Sequence, residues 1–336
     1  LENFITTPTT NRGVENTSQY PVIVDWITFS GHFQSFQEMI EFLGLTNSGL
    51  EFEECPPKWF HLCSMTYNNE ITLMLSQRDD YTMAAVNISG RGCRDIESFS
   101  EYSLDDLICK VVSMPGFKFS RVDVAMDIID NSFSIDKLVK ATRKGNFTCR
   151  SKFYNIMESS DDGIKGTSLY YGKQDSNCFI NIYDKRAERK YKQSDMPNWT
   201  RIEIRLRHEN AEGFCNQFAE GLDVGYLYTG LLNNYLRFVV NSSDTNKSRL
   251  KTASYWQKLL SHSERVKVFE RAGVEYDYSK FENYLFNTCG SSIATYLKTH
   301  TVDDLLNELS LRNIKLNPRQ KILVENYING IDFMVL

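Results

Sequence analysis

Three runs that alternate apolar and charged residues constrain this chain more than any other feature. In Phe119–Ile128 (FSRVDVAMDI), Val122, Val124, Met126 and Ile128 fall on one face of an extended strand, and Arg121, Asp123, Ala125 and Asp127 on the other. Trp199–Arg207 (WTRIEIRLR) sets Ile202, Ile204 and Leu206 against Arg201, Glu203, Arg205 and Arg207. Cys178–Lys185 (CFINIYDK) places Asn181, Tyr183 and Lys185 together. A strict period of two gives strands with one face in a core and one face outside it, the pattern of antiparallel sheets.

The element order extends this to a fold class. Tyr20–Phe29 (YPVIVDWITF) reads as a strand carrying Asp25. A helix follows, opened by a Ser35/Glu38 capping box and closed at Gly44. Strand-like runs come next near Trp59–Thr66, Ile71–Ser76 and Thr82–Ser89, and the glycines of Ser89–Arg94 (SGRGCR) suggest a tight turn. A second capped helix starts at Ser103 and stops at Pro115-Gly116. The order then repeats from Phe119: strand, helix from Ser134, loop, strands. Asp25 then corresponds to Asp123, and Asn87-Ile88-Ser89 to Asn181-Ile182-Tyr183, so that Ser89 stands where the second half has its tyrosine. The expectation is an α+β fold of mostly antiparallel sheets, built from two pseudo-repeated β-α-β-β halves with helices on one face. A catalytic domain would span 20–212, with halves of about 20–115 and 116–212, preceded by a disordered segment 1–19 rich in Thr, Asn and Ser. From 213 to 336 helical spacing takes over, as in Leu227, Tyr228, Leu231, Leu232, Tyr235 and Phe238, and predicts a helical C-terminal region whose aromatic stripe is core.

Charge is distributed unevenly. The whole chain carries −5, yet Lys137–Arg207 holds 16 Lys+Arg against 8 Asp+Glu. That segment is a local basic footprint on an otherwise acidic chain, which suits a nucleic-acid backbone. The eight cysteines form no C-x-x-C pair, so a zinc site is not expected and free thiols in a reducing compartment are. No apolar run reaches the ~20 residues of a membrane span, and the polar start lacks a signal-peptide core, which together predict a cytoplasmic protein.

If the three alternating strands are neighbours, carboxylates, a tyrosine and arginines converge on one sheet surface. That set suits phosphoryl transfer. A tyrosine oxygen can attack phosphorus, carboxylates can hold a divalent cation, and arginines and lysines can stabilise charge on phosphoryl oxygens. Tyrosine is common in strands, however, and this chain has 18. Cross-strand Arg/Glu pairs are common too.

In order, the segments VDWITF, SGRGCR, SRVDVAMDI, GTSLYYGK, FINIYDKRAERK and WTRIEIRLR resemble the replication initiation factor family over about residues 20–300. That family includes initiators of staphylococcal rolling-circle plasmids and relaxases of Gram-positive integrative conjugative elements. Tyr255–Val268 (YWQKLL…ERVKV) looks most like the conjugative-element branch. The resemblance implies a Mg²⁺- or Mn²⁺-dependent DNA strand transferase. Such an enzyme nicks one strand at an origin and leaves a 5′-phosphotyrosyl link and a free 3′-OH. By the same resemblance Tyr183 is the nucleophile, within Ile180-Asn181-Ile182-Tyr183-Asp184-Lys185. Asp123, Asp127 and Glu203 match the metal-binding strands, and Lys185, Arg186, Arg189, Lys190, Arg201, Arg205 and Arg207 are the expected DNA contacts. Many relatives have Arg where this chain has Asn181. Expected partners are origin DNA, a helicase and a coupling protein, with no membrane, for a monomer or homodimer. Some relatives carry an upstream helix-turn-helix domain, and the Met-less start is compatible with its removal.

Neighbouring classes lack their marks. No histidine-hydrophobe-histidine motif occurs, His208 is not followed by the H-x-x-R pattern of tyrosine recombinases, and no G-x-x-x-x-G-K-[ST] loop is present. A non-catalytic origin-binding protein using the same basic surface is the alternative reading.

Overall fold

The computed structural model describes residues 20–59, 61–78, 81–129, 133–161, 164–190, 198–241, 246, 249–260, 282, 285–286, 290–312, 324 and 327–328. The expected disordered segment 1–19 lies outside the described residues. The chain divides into two compact units, Leu1–Phe269 and Glu270–Leu336.

In the first unit the order is β1 (Val22–Gly31), α1 (Phe36–Phe42), β2 (Glu53–Cys55), β3 (Cys63–Tyr67), β4 (Ile71–Arg78), β5 (Tyr81–Ile88), α2 (Gly90–Phe99) and α3 (Leu104–Ser113). Then come β6 (Lys118–Ile128), α4 (Ile135–Arg143), β7 (Phe147–Cys149), β8 (Tyr154–Asp161), β9 (Ile164–Tyr171), β10 (Cys178–Asp184), α5 (Lys185–Glu188) and β11 (Thr200–Arg207). Helices α6 (Glu209–Ala219) and α7 (Val224–Tyr235), strand β12 (Leu236–Phe238) and helix α8 (Ser254–Leu259) follow among the described residues. In the second unit the described residues include α9 (Gly290–Leu297) and α10 (Val302–Leu311), the latter opened by a Thr301/Asp304 capping box.

Among the described residues ten strands form one antiparallel sheet in the order β2-β3-β4-β5-β1-β6-β11-β10-β9-β8, so the α+β, mostly antiparallel expectation holds. The period-two pattern decides its faces. Val22, Val24, Ile27 and Phe29 of β1, Val122, Val124 and Met126 of β6, and Ile202, Ile204 and Leu206 of β11 are buried in one core. Leu104 and Leu107 of α3, Leu138 of α4, Phe214 of α6 and Leu227 and Leu231 of α7 join the same core. Tyr228 of α7 ties helix to sheet by donating to the Ile202 carbonyl at 2.8 Å. The alternate residues of β6, β10 and β11, which carry the charges, face the other way.

The sheet is two-fold in plan, with β1 and β6 paired at its centre. Strand β5 takes the place beside β1 that β11 takes beside β6, so β4 is the counterpart of β10. This corrects the sequence alignment of Ser89 with Tyr183. Ser89 lies past the end of β5 and accepts from Gly92 N–H as the N-cap of α2, so SGRGCR opens a helix instead of making a tight turn. The true counterpart of β10 is β4, ITLMLSQR, which contains no tyrosine. The repeat also reaches further than residue 212. α2 and α3 follow β5 as α6 and α7 follow β11, and α6 and α7 lie within the first compact unit. The helical spacing from Leu227 to Tyr235 is α7, but Phe238 belongs to strand β12, paired with β7.

Candidate active site

Register brings the three alternating strands together as neighbours. Tyr183 of β10 lies opposite Arg201 of β11, and Arg201 opposite Asp127 of β6. One row along, Asn181 faces Glu203, and beyond it Phe179 faces Arg205, which faces Asp123. The rows share the sheet face away from the core helices α3, α4, α6 and α7.

Tyr183 is half-buried, and its hydroxyl has two partners. It donates to Glu203 Oε1 at 2.6 Å, and Lys185 Nζ lies 3.2 Å away. Lys185 is not on the strand face as its spacing suggested. Strand β10 ends at Asp184, which caps α5 by accepting from Ala187 N–H, and Lys185 opens that helix. The turn still returns its ammonium to the hydroxyl, where Glu188 holds it at 2.8 Å. Burial, then the Glu203 charge, pushes the Tyr183 phenol well above the ordinary tyrosine value. Burial also raises Glu203, against the Tyr183 hydrogen bond, to about 6. A carboxylate poised near neutrality therefore touches a hydroxyl that cannot ionise unaided. Tyr183 borders an open cavity of about 300 Å³ that is also lined by Ser159, Gly166, Thr167, Ser168, Asp184 and Lys190.

Beside this pair sits a buried ion network. Asp127, 3% exposed, accepts from Arg201 Nε at 2.8 Å, Arg201 Nη2 at 2.6 Å and Trp199 Nε1 at 2.6 Å. Arg201 donates its third guanidinium nitrogen to Asp25 Oδ2 at 3.0 Å. A register shift between Val24 and Trp26 makes Asp25 an extra residue on β1 and sends its carboxylate to Arg201. The sequence assigned Asp25 only the role of a repeat counterpart. Burial raises its pKa, opposed first by Arg201 and then by Lys185.

The structure does not bring Asp123, Asp127 and Glu203 to one point. Asp127 is saturated as described, and Asp123 accepts from Arg121 Nε at 2.8 Å and Arg205 Nε at 3.1 Å. A cation there would have to displace guanidinium groups. Among the described residues no three His, Cys, Asp or Glu side chains are grouped as metal ligands. The residues present therefore do not fit the expected divalent cation at that trio.

The expected DNA contacts on α5 and β11 separate into four sets. Arg189 and Lys190 are exposed at the end of α5. Arg186 is held by Asp184 at 3.0 Å. Arg201 is 4% exposed and spends its donors on two aspartates, so it supports the site from beneath. Arg205 and Arg207 stand on the open face further along β11. Asn181 leaves its Oδ1 buried without a hydrogen bond.

The chain is 26% identical over 280 residues to a Bacillus subtilis (strain 168) protein described as "Putative DNA relaxase NicK", a match covering 79% of this chain and 78% of that one. The structure of a rolling circle replication initiator protein from Geobacillus stearothermophilus superposes with a TM-score of 0.65 at 25% identity, over 74% of this chain and 98% of the other. The model of the family described as "Replication initiation factor" matches residues 117–309, a span that holds β6, β10 and β11 and every side chain around the Tyr183 hydroxyl, and this chain belongs to that family.

Proposed function

We propose that the chain is a DNA strand transferase that nicks and recloses one strand at an origin, with Tyr183 as its nucleophile. The observation that carries this is the contact of the Tyr183 hydroxyl with Glu203 at 2.6 Å and Lys185 at 3.2 Å, beside an open cavity. Glu203 takes the phenolic proton as the oxygen attacks phosphorus. The new bond joins Tyr183 Oη to the 5′ phosphate. The P–O3′ bond breaks, and the leaving 3′ oxygen takes up a proton. Lys185 stabilises the negative charge that develops on the phenolic oxygen. The reaction exchanges one phosphodiester for another, so the 3′-OH can attack the phosphotyrosine and reseal the strand.

Two supports act without touching the reacting atoms. Arg201, clamped between Asp127 and Asp25, fixes β11 against β6 and β1 and lends positive potential beneath Tyr183. Asp184 ends β10 and orients α5, which delivers Lys185. Lys190 lines the cavity, Arg189 is exposed just before it at the end of α5, and both serve as phosphate contacts. A divalent cation would supply further charge neutralisation on the phosphoryl oxygens, but Asp123 and Asp127 do not offer it free oxygens. Among the described residues no helix is long and apolar enough to cross a membrane.

The test is incubation of a supercoiled plasmid bearing the cognate origin with wild type or Tyr183→Phe, with and without Mn²⁺. Wild type is expected to relax the plasmid and leave a protein–DNA adduct on a denaturing gel. Equal nicking by both proteins would sink the assignment. Origin retention without any adduct would leave a binding protein only.

A further inference from the structure

Three guanidinium groups crowd the open sheet face at the end of β11 far from Tyr183. Arg207 of β11 lies directly opposite Arg121 of β6, and Arg205 shares their face. Like charges in opposed cross-strand positions repel. Asp123 answers two of the three. It accepts from Arg121 at 2.8 and 2.5 Å and from Arg205 at 3.1 Å. Arg207 is left over. Its Nε is buried without a hydrogen bond, and among the described residues no carboxylate pairs with its side chain. Asp123, already shared by the other two arginines, and then Asp175 act on it only through space. Burial, then Arg121 and Arg205, holds the Arg207 guanidinium below the ordinary arginine value. Arginine cannot relieve this by losing its proton near neutral pH, so the fold carries uncompensated positive charge there.

The cluster is also pre-oriented. The Arg121 guanidinium lies 3.9 Å from the centroid of the Trp26 ring, and that indole donates to Asn87 at 2.9 Å. Arg205 lies 5.5 Å from the Phe179 ring, which stacks on Tyr170 at 5.7 Å. Stacking of this kind fixes guanidinium planes, and planar forks match the oxygens of a phosphate.

We propose that Arg121, Arg205 and Arg207 form a phosphate subsite that holds single-stranded DNA away from the bond that is cut. Arg207 stands six residues along β11 from Arg201, the partner of Tyr183, which places the subsite ~20 Å from the nucleophile. The recessed arginines favour an unpaired strand over a duplex. Arg121 and Arg205 side chains are only 16% and 22% exposed, so a backbone must come down to the sheet to reach them. The half-exposed rings of Trp26 and Tyr170 offer faces to unpaired bases. This subsite rests on the reading of the protein as a DNA strand transferase.

The experiment is fluorescence anisotropy with a labelled single strand of about 15 nucleotides, titrated from about 50 to 200 mM KCl. Wild type, Arg121→Gln, Arg207→Gln and Arg207→Lys are compared, with thermal melting of each protein free of DNA. Arg121→Gln and Arg207→Gln are each expected to bind about tenfold more weakly, with a salt slope shallower by about 0.7. Arg207→Gln is expected to melt no lower than wild type, because it removes a repulsion. Arg207→Lys keeps the salt slope and loses part of the affinity. Unchanged affinity and slope in Arg207→Gln would overturn the subsite, as would weaker binding with a lower melting temperature and the wild-type slope. Adduct formation read in parallel separates the two readings. A wild type that forms the adduct and binds regardless of Arg207 overturns this subsite alone. Arg207-dependent binding without an adduct overturns the nucleophile alone, and no binding by wild type overturns both.

Discussion

Replacing Glu203 with glutamine isolates the proton path of the proposed reaction. The substitution keeps an acceptor oxygen near the Tyr183 hydroxyl, now 2.6 Å from Glu203 Oε1, but removes the base. Burial already holds the phenol above its ordinary value, so the phenolate is scarce at neutral pH without a partner that takes the proton. Loss of a positioned general base costs roughly 10²–10⁴ in rate, about 3–5 kcal/mol on the barrier. The pH profile gives an independent signature. With Glu203 near 6, the wild-type rate should climb as pH rises through about 6 and level off above it, as the base ionises. Glu203→Gln should lose that limb. The assay is the initial rate of adduct formation on a short oligonucleotide, read on denaturing gels across the pH range. A variant within about threefold of wild type that keeps the same limb would refute the assignment of Glu203 as base.

Glu203 also predicts a stability trend. Its folded value of about 6 exceeds its ordinary 4.5, so the folded protein binds the proton more tightly, and stability falls as pH rises between those values, by about 2 kcal/mol, measurable by urea unfolding. Arg201→Met strands Asp127 in the core and removes the Asp25 partner, so it should destabilise by about 3–5 kcal/mol in the same assay. Asp123→Asn is expected to lower the melting temperature by loosening Arg121 and Arg205 while leaving Mn²⁺ affinity unchanged by calorimetry; a weakened affinity would restore Asp123 as a ligand. Gly92→Ala drives a Cβ to 2.6 Å from the Glu70 carbonyl oxygen on the neighbouring backbone, and should cost about 1–3 kcal/mol of stability.

Within the unbroken runs Arg121–Ile128 of β6, Thr200–Arg207 of β11 and Cys178–Asp184 of β10, which side chains share a face was determined by the sequence alone, because strand alternation is local. Val122, Val124 and Met126 had to face a core, and Tyr183, Glu203 and Asp123 had to face away from it, whatever the strands' neighbours were. The same pattern, with the capping boxes, carried the fold class. Which of those residues touch is set by register, a long-range property that no strand encodes by itself. Register placed Arg201 over Asp127 and turned an expected phosphate contact and an expected metal ligand into a buried pair. Strand order, equally long-range, set β5 in the position of β11, which moved the counterpart of Tyr183 from Ser89 to a strand without a tyrosine. Asp25 joined the site through a bulge that depends on how β1 meets β6. The nucleophile's environment was decided the same way. Glu203 and Lys185 come from β11 and the turn after β10, and only their meeting at one hydroxyl gives either residue a chemical role.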